Sequence, residues 1–335
     1  EAYLKHQNLC DAVRFYVNQL FGEEGLVVVD ADNRQMKSLF TGVIEDDLFK
    51  HTAKQKVDHT DQQLETQGYS TQVHARDINF FYLEDQIRGR IERTKEGFEV
   101  VDTDLKFSEE EMKGLIKSDP EKFSPNVILR PLYQEIVLPN LAYFGGPAEV
   151  IYWLQLKGVF DNFKVPFPIL MPRNFAMVLD GPTARKFEKT GLSDEELFEP
   201  KNYLFNNWVA KNTNHDLSLT KELKTVSNLF DQIKKRALEI DPTLGPLVEA
   251  ETKRGTKSFE KIEQKLLKAE KRHHSDKLRQ IEDVKDALFP GGGLQERSDN
   301  FLNFYQQDSE FIKKLLNVFD PFDFQFNLLS YPYAK

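Results

Sequence analysis

Cysteine is almost absent, with one, Cys10, in 335 residues. That excludes an intrachain disulfide and any multi-cysteine metal site, and it makes a reducing cytoplasm the expected compartment. Long apolar runs are missing too: no stretch reaches the roughly 20 residues a membrane helix needs, and no signal-peptide pattern opens the chain. A basic excess is also lacking. With 45 Lys and Arg against 54 Asp and Glu the net charge is -9, which argues against nucleic acid as the primary partner. The seven histidines have no ligand spacing, since His273 and His274 are adjacent on a predicted helix and point apart. No metal is therefore expected.

What remains is globular material, 40% hydrophobic with 27 Phe and 30% charged, enough for a large core and two or three structural units. The chain starts at Glu1 without a methionine and reads as a piece of something longer. Residues 2 to 21 predict an amphipathic helix that buries Cys10 beside Leu9, Val13, Tyr16, Val17 and Leu20. The run GLVVVDADN at 25 to 33 predicts a strand followed by a helix through QMKSLF, a βα alternation suited to a sheet covered on both faces. Its DAD also resembles the opening motif of the haloacid-dehalogenase phosphatases, but Arg34 stands where that motif needs a small residue.

A further helix is expected over about 46 to 67, then a small antiparallel meander over 70 to 107 with a hairpin turn at KEG, 95 to 97. Ser108 and Glu111 form a capping-box signature. Residues 165 to 180 read as strand with prolines at its margins, and Ser193 as another cap. Phe259, Ile262, Leu266 and Ala269, then Leu267, His274, Ile281 and Leu288 every seven residues, predict a coiled-coil seam with a stutter between the two series. Leu219, Leu223, Val226, Phe230, Ile233 and Ala237 would supply its antiparallel partner, with the turn near Pro242 to Pro246. PGGG at 290 to 293 ends this arm, and the aromatic tail from 299 must pack back on a core. The expected division is 1 to 185, 186 to 290 and 291 to 335.

Chemistry concentrates in FSPNVILRPLYQEIVLPNLAYFGGPAEVIYW, 123 to 153, where apolar residues are repeatedly interrupted by backbone-specifying and charged ones. Gly145 and Gly146 precede a predicted helix with Pro147 in its first turn, so its N-terminal amides are either an anion site or a plain strand-to-helix turn. The spacing is that of neither a P-loop nor a dinucleotide fingerprint. Arg130 and Arg173 suit carboxylate or phosphate, or pair with acids such as Glu135 or Asp180. Glu149 is either a first-turn acid favoured by the helix dipole or a carboxylate that binds an ammonium group. Arg297, after the PGGG turn, either opens a polar helix or reaches a second anionic ligand.

Taken together, FSPNVILRPLYQE, LPNLAYFGGPAEVIYWLQL, the strand ending MPR, GLVVVDAD and PGGGLQER after a heptad arm resemble the bacillithiol biosynthesis cysteine-adding enzymes, the BshC family. The match runs in order along nearly the whole chain, while members of that family are longer and carry an additional N-terminal portion. The resemblance implies an α/β chain with a partial Rossmann-like core, the small meander, and an antiparallel coiled-coil arm through which subunits form a homodimer. It implies a ligase that joins cysteine to the amino group of glucosaminyl malate. Amide formation needs an activated cysteine carboxyl, plausibly activated by ATP, and an unprotonated amine.

Within that hypothesis, and from the residue chemistry and not the family alone, Arg130, Glu135 and Glu149 are the candidate catalytic residues. Asn126, Gln134, Asn140, Tyr143, Gly145, Gly146, Tyr152 and Arg173 are candidate substrate contacts, and Arg297 a candidate nucleotide contact. The competing expectations are a non-catalytic assembly subunit whose arm is the functional element, and a nucleotidyl transferase on the same type of core.

Overall fold

The computed structural model describes residues 1–330, which divide into two units, 1–173 with 320–324 and 174–319 with 325–330. The division falls at Arg173, twelve residues before the expected 185.

The first unit contains the meander. Strands β1 (Phe80–Glu84), β2 (Ile87–Arg93), β3 (Phe98–Val100), β4 (Lys106–Phe107) and β5 (Phe123–Pro125) form an antiparallel sheet in the order β4-β3-β2-β1-β5. The β2–β3 turn lies at the expected KEG, closed by the Thr94 N–H on the Gly97 carbonyl at 2.9 Å. Alternate residues of the sheet, Phe80, Tyr82, Ile91, Phe98 and Val100, face a core completed by Phe40, Ile44, Leu48, Met112, Trp153 and Phe160. The helix Glu109–Ser118 covers part of this core with Met112 and Ile116, and its capping box is formed as predicted, Ser108 bonding the Glu111 N–H and Glu111 returning to the Ser108 N–H. Ser108→Ala should lower stability by about 1 kcal/mol; an unchanged denaturant midpoint would show that the box contributes nothing.

The next two strands make a βαβ unit. Strand β6 (Ala142–Gly145) leads through the helices Pro147–Gln155 and Lys157–Phe163 to β7 (Ile169–Pro172), which runs parallel to it with Gly145 opposite Pro172. This is the Rossmann-like element of the chain, and it places the Gly145–Gly146 turn at the carboxyl end of a parallel strand, where such sheets bind ligands.

Two expectations fail at the amino end. Residues 26 to 33 are not a strand: they have no ladder partner among the described residues, and Leu26 and Val27 are exposed. An apolar run supplies side chains for a sheet but not the neighbouring strand that defines one. Cys10 is exposed instead of buried, because the helix Leu9–Phe21 buries only Ala12. The helix expected over 46 to 67 is two, Thr41–Lys50 and Thr52–Thr66, separated by His51 at φ 56°.

The second unit is built around the arm. Helix Thr220–Ile240 packs against Gly245–His273 across the turn at Pro242–Leu244, the predicted antiparallel hairpin. The chain breaks at His274 (φ -102°, ψ 18°) before the helix Ser275–Leu288; the expected switch between the two heptad series falls inside the unbroken helix Gly245–His273, and the interruption lies within the second series instead. Beyond it Ile281 packs with Leu204, Trp208, Val209 and Leu278, and Leu288 with Met177, Leu179 and Val284. These two belong to the unit's own core and are not available to an intersubunit seam. The tail returns as β9 (Phe326–Ser330), parallel to β8 (Phe175–Leu179). No helix among the described residues is long and apolar enough to cross a membrane.

Candidate active site

Arg130 opens the helix Arg130–Val137 with Pro131 in its first turn. Its guanidinium is half-buried and donates to the Tyr152 hydroxyl at 2.7 Å and, at the long limit of 3.5 Å, to the Gln134 amide oxygen. The Tyr143 hydroxyl acts on the same guanidinium, so two phenols from β6 and the helix after it face one cation. Burial alone would lower the Arg130 pKa; Tyr152 and Tyr143 reverse this and leave it raised. Burial, with Tyr152 nearby, raises that of Tyr143. The cluster is therefore a fixed positive charge flanked by neutral hydroxyls, a surface for a carboxylate or phosphate.

Tyr143 is held from behind by Trp153, stacked at 4.1 Å between ring centroids. Its ring also closes on the glycine turn: a Cβ at Gly145 would lie 2.9 Å from the Tyr143 ring and 3.2 Å from the Glu149 side chain. Only glycine permits that approach.

The structure brings Arg130, Gln134, Tyr143, Gly145, Tyr152 and Glu149 together, but two of the carboxylates are already engaged. Glu149 accepts the Gly146 N–H at 2.8 Å, one half of a capping box with no side chain at Gly146 to return it, and this occupies a donor expected to face a ligand. Buried Glu135 accepts both the backbone N–H and the side-chain amide of Asn140, at 2.8 and 2.9 Å, and ties down the turn before β6. Neither is poised as a free base. Asn126 also works locally, accepting the Ile128 N–H and donating to Asn79. The Arg173 N–H donates to the Gly145 carbonyl at 2.9 Å, which places Arg173 just past the end of β7. Arg297 lies in the second unit with an exposed side chain, 3.8 Å from Glu296.

Several buried polar residues escaped the sequence reading, among them Gln155, Lys37 and Asp47. Gln155, fully buried, bonds the Gln72 and Val73 backbone and Asp61. Lys37, 1% exposed, donates to the Phe123 carbonyl at 2.6 Å and lies 3.2 Å from Asp32. Asp47, 1% exposed, accepts from Asn79. A signal existed for Asp47: Phe40, Val43, Ile44, Asp47 and Leu48 follow the 3,1,3,1 spacing of an apolar helix face, and the one acid in that series points inward. No group of three or more potential metal ligands is found among the described residues.

Family models agree with this division. Residues 1–174 match the model described as bacillithiol biosynthesis BshC, N-terminal Rossmann-like domain, and residues 176–331 the C-terminal coiled-coil domain of the same family. The chain is 39% identical over 331 residues to a Cytophaga hutchinsonii protein named "Putative cysteine ligase BshC", covering 99% of this chain and 63% of that protein. Proteins of the same name from Flavobacterium johnsoniae and Bacillus pumilus are 38% and 30% identical, covering 98% and 96% of this chain and 62% and 60% of their own lengths. The chain thus spans about three fifths of the length of these curated relatives. On both domain matches and these identities, it belongs to the bacillithiol biosynthesis BshC family.

Proposed function

We propose that this chain forms one side of the active site of a cysteine ligase that joins the cysteine carboxyl to the amino group of glucosaminyl malate, the last step of bacillithiol biosynthesis. The observation that carries the reading is the half-buried Arg130 held by Tyr143 and Tyr152 at the carboxyl end of a parallel strand. A malate carboxylate suits that charge, with Arg173 and Gln134 as further contacts. The unprotonated amine attacks the activated carboxyl, so the C–N bond forms as the acyl C–O bond to the phosphate or AMP leaving group breaks and the nitrogen releases a proton to water. ATP is the proposed source of that activation, and Arg297 a proposed nucleotide contact. Because Glu149 is engaged by the Gly146 N–H and Glu135 by Asn140, their part is to hold the glycine turn and Asn140 in place.

The protein works in the cytoplasm on this reading, consistent with its single cysteine. Homodimerisation would run through the arm, where Ile262 and Leu266 on one helix and Leu229 and Ile233 on the other stay partly exposed.

Arg130→Ala in the full-length protein should reduce formation of the cysteinyl product by about a hundredfold or more, the scale for losing a preorganised charged contact. Undiminished product from cysteine, ATP and glucosaminyl malate would sink the assignment and favour a purely architectural role for the chain.

A further inference from the structure

Behind the Arg130 helix runs a chain of buried polar contacts that no packing requirement explains. Asp47 sits on the inward face of the helix Thr41–Lys50, and its two carboxylate oxygens accept the backbone N–H of Asn79 at 2.5 Å and its side-chain amide at 3.1 Å. Asn79 is fully buried just before β1. Its amide oxygen accepts from the Asn126 side chain at 3.1 Å, and its carbonyl accepts the Asn126 N–H at 2.9 Å. Asn126 in turn receives the Arg130 N–H on its carbonyl at 2.8 Å. Four residues from three separate segments thus form one hydrogen-bonded series ending at the residue that carries the proposed ligand charge.

We infer that Asp47 is a positioning residue: through Asn79 and Asn126 it sets the start of the Arg130 helix and so the direction of the guanidinium. The inference rests on the proposed ligand role of Arg130.

Two requirements conflict at Asp47. Both of its oxygens face donors, which only the carboxylate satisfies fully, whereas burial opposes the charge. Burial raises its pKa from 3.8 to about 7, against the Asn79 bonds and nearby His51, with Asp46 adding to the rise. His51 lies beside it and bonds the Asp77 carbonyl; Asp77 pairs with Lys54 on the following helix, and exposed Arg76 bonds Asn79 through its backbone. A proton on Asp47 turns one acceptor toward a donor as a hydroxyl, loosening Asn79. Ionisation restores both bonds, so the Arg130 site should tighten as pH rises through about 7.

The test is malate binding to the full-length protein by calorimetry between pH 6 and 8, a range in which both malate carboxyls stay ionised. The wild-type Kd should fall by about fivefold with rising pH, the scale of one net hydrogen bond, and Asp47→Asn and Asn126→Ala should both flatten that slope. A flat wild-type profile, or a wild-type slope in either folded variant, overturns the inference. Should Asp47→Asn fail to fold, Asn126→Ala on its half-buried loop decides. Arg130→Ala separates the two levels: if it binds malate as wild type does, the site reading itself fails, whereas lost binding there with slopes intact in the relay variants overturns the relay alone.

Discussion

Trp153→Ala is expected to destabilise the first unit by about 3–5 kcal/mol, while Trp153→Phe should cost no more than about 1.5 kcal/mol. The indole is fully buried, stacked on Tyr143 at 4.1 Å and packed against Phe160 and Phe167 with centroids 5.8 and 6.1 Å away. Truncation to alanine therefore removes the shared wall of three aromatic contacts and leaves a cavity inside the βαβ unit, between β6 and the helix Lys157–Phe163. Phenylalanine keeps most of that wall. It also gives up no hydrogen bond, because the indole N–H has no partner among the described residues, so the usual cost of stranding a polar partner does not arise. Urea denaturation of both variants measures the contrast. Equal losses for Phe and Ala would mean that the indole N–H contributes after all; negligible loss for Ala would mean that the cluster is not a keystone. Because Tyr143 stands between Trp153 and Arg130, the folded fraction of Trp153→Ala should also bind malate more weakly than wild type.

How much of this was legible depended on the range over which each residue finds its partner. The Ser108–Glu111 box, the KEG turn, the helix after Gly146 and the arm hairpin are set by neighbours a few residues away, and the sequence pattern contains both halves of each interaction. The run at 26 to 33 shows the opposite case. Its residues suit a strand, but strand formation depends on a second segment that the run does not specify. The candidate cluster was legible in its members and less so in their contacts. Arg130, Tyr143, Tyr152 and the glycine turn do converge, yet nothing in the string states that Arg130 bonds a tyrosine 22 positions onward or that Glu149 is taken up by Gly146. Asp47 was missed for a different reason: an acid in a helix reads by default as a solvated residue, and only its place in an apolar series reveals that it faces the core.

If the full-length protein forms the proposed dimer through the arm, charged residues at Ile262 and Leu266 should convert it to monomers without unfolding it, whereas Ile281→Glu should unfold the second unit. The heptad pattern alone treats all three as one seam. In the structure they divide at the His274 break: Ile262 and Leu266 are 49% and 38% exposed, while Ile281 is fully buried among Leu204, Trp208, Val209 and Leu278. A glutamate at either exposed position stays in water in the monomer and meets a desolvation cost only when a second arm covers it. At Ile281 the charge has no route to water, and the cost falls on folding itself, several kcal/mol against a net stability of about 5–15 kcal/mol. Sedimentation velocity reports the first effect and circular dichroism the second. A dimer that survives glutamates at both Ile262 and Leu266 would move the interface off this face of the arm, to other exposed apolar residues such as Leu229, Ile233 and Leu238 on the first arm helix. A folded Ile281→Glu monomer would instead return the seam to the helix beyond the break.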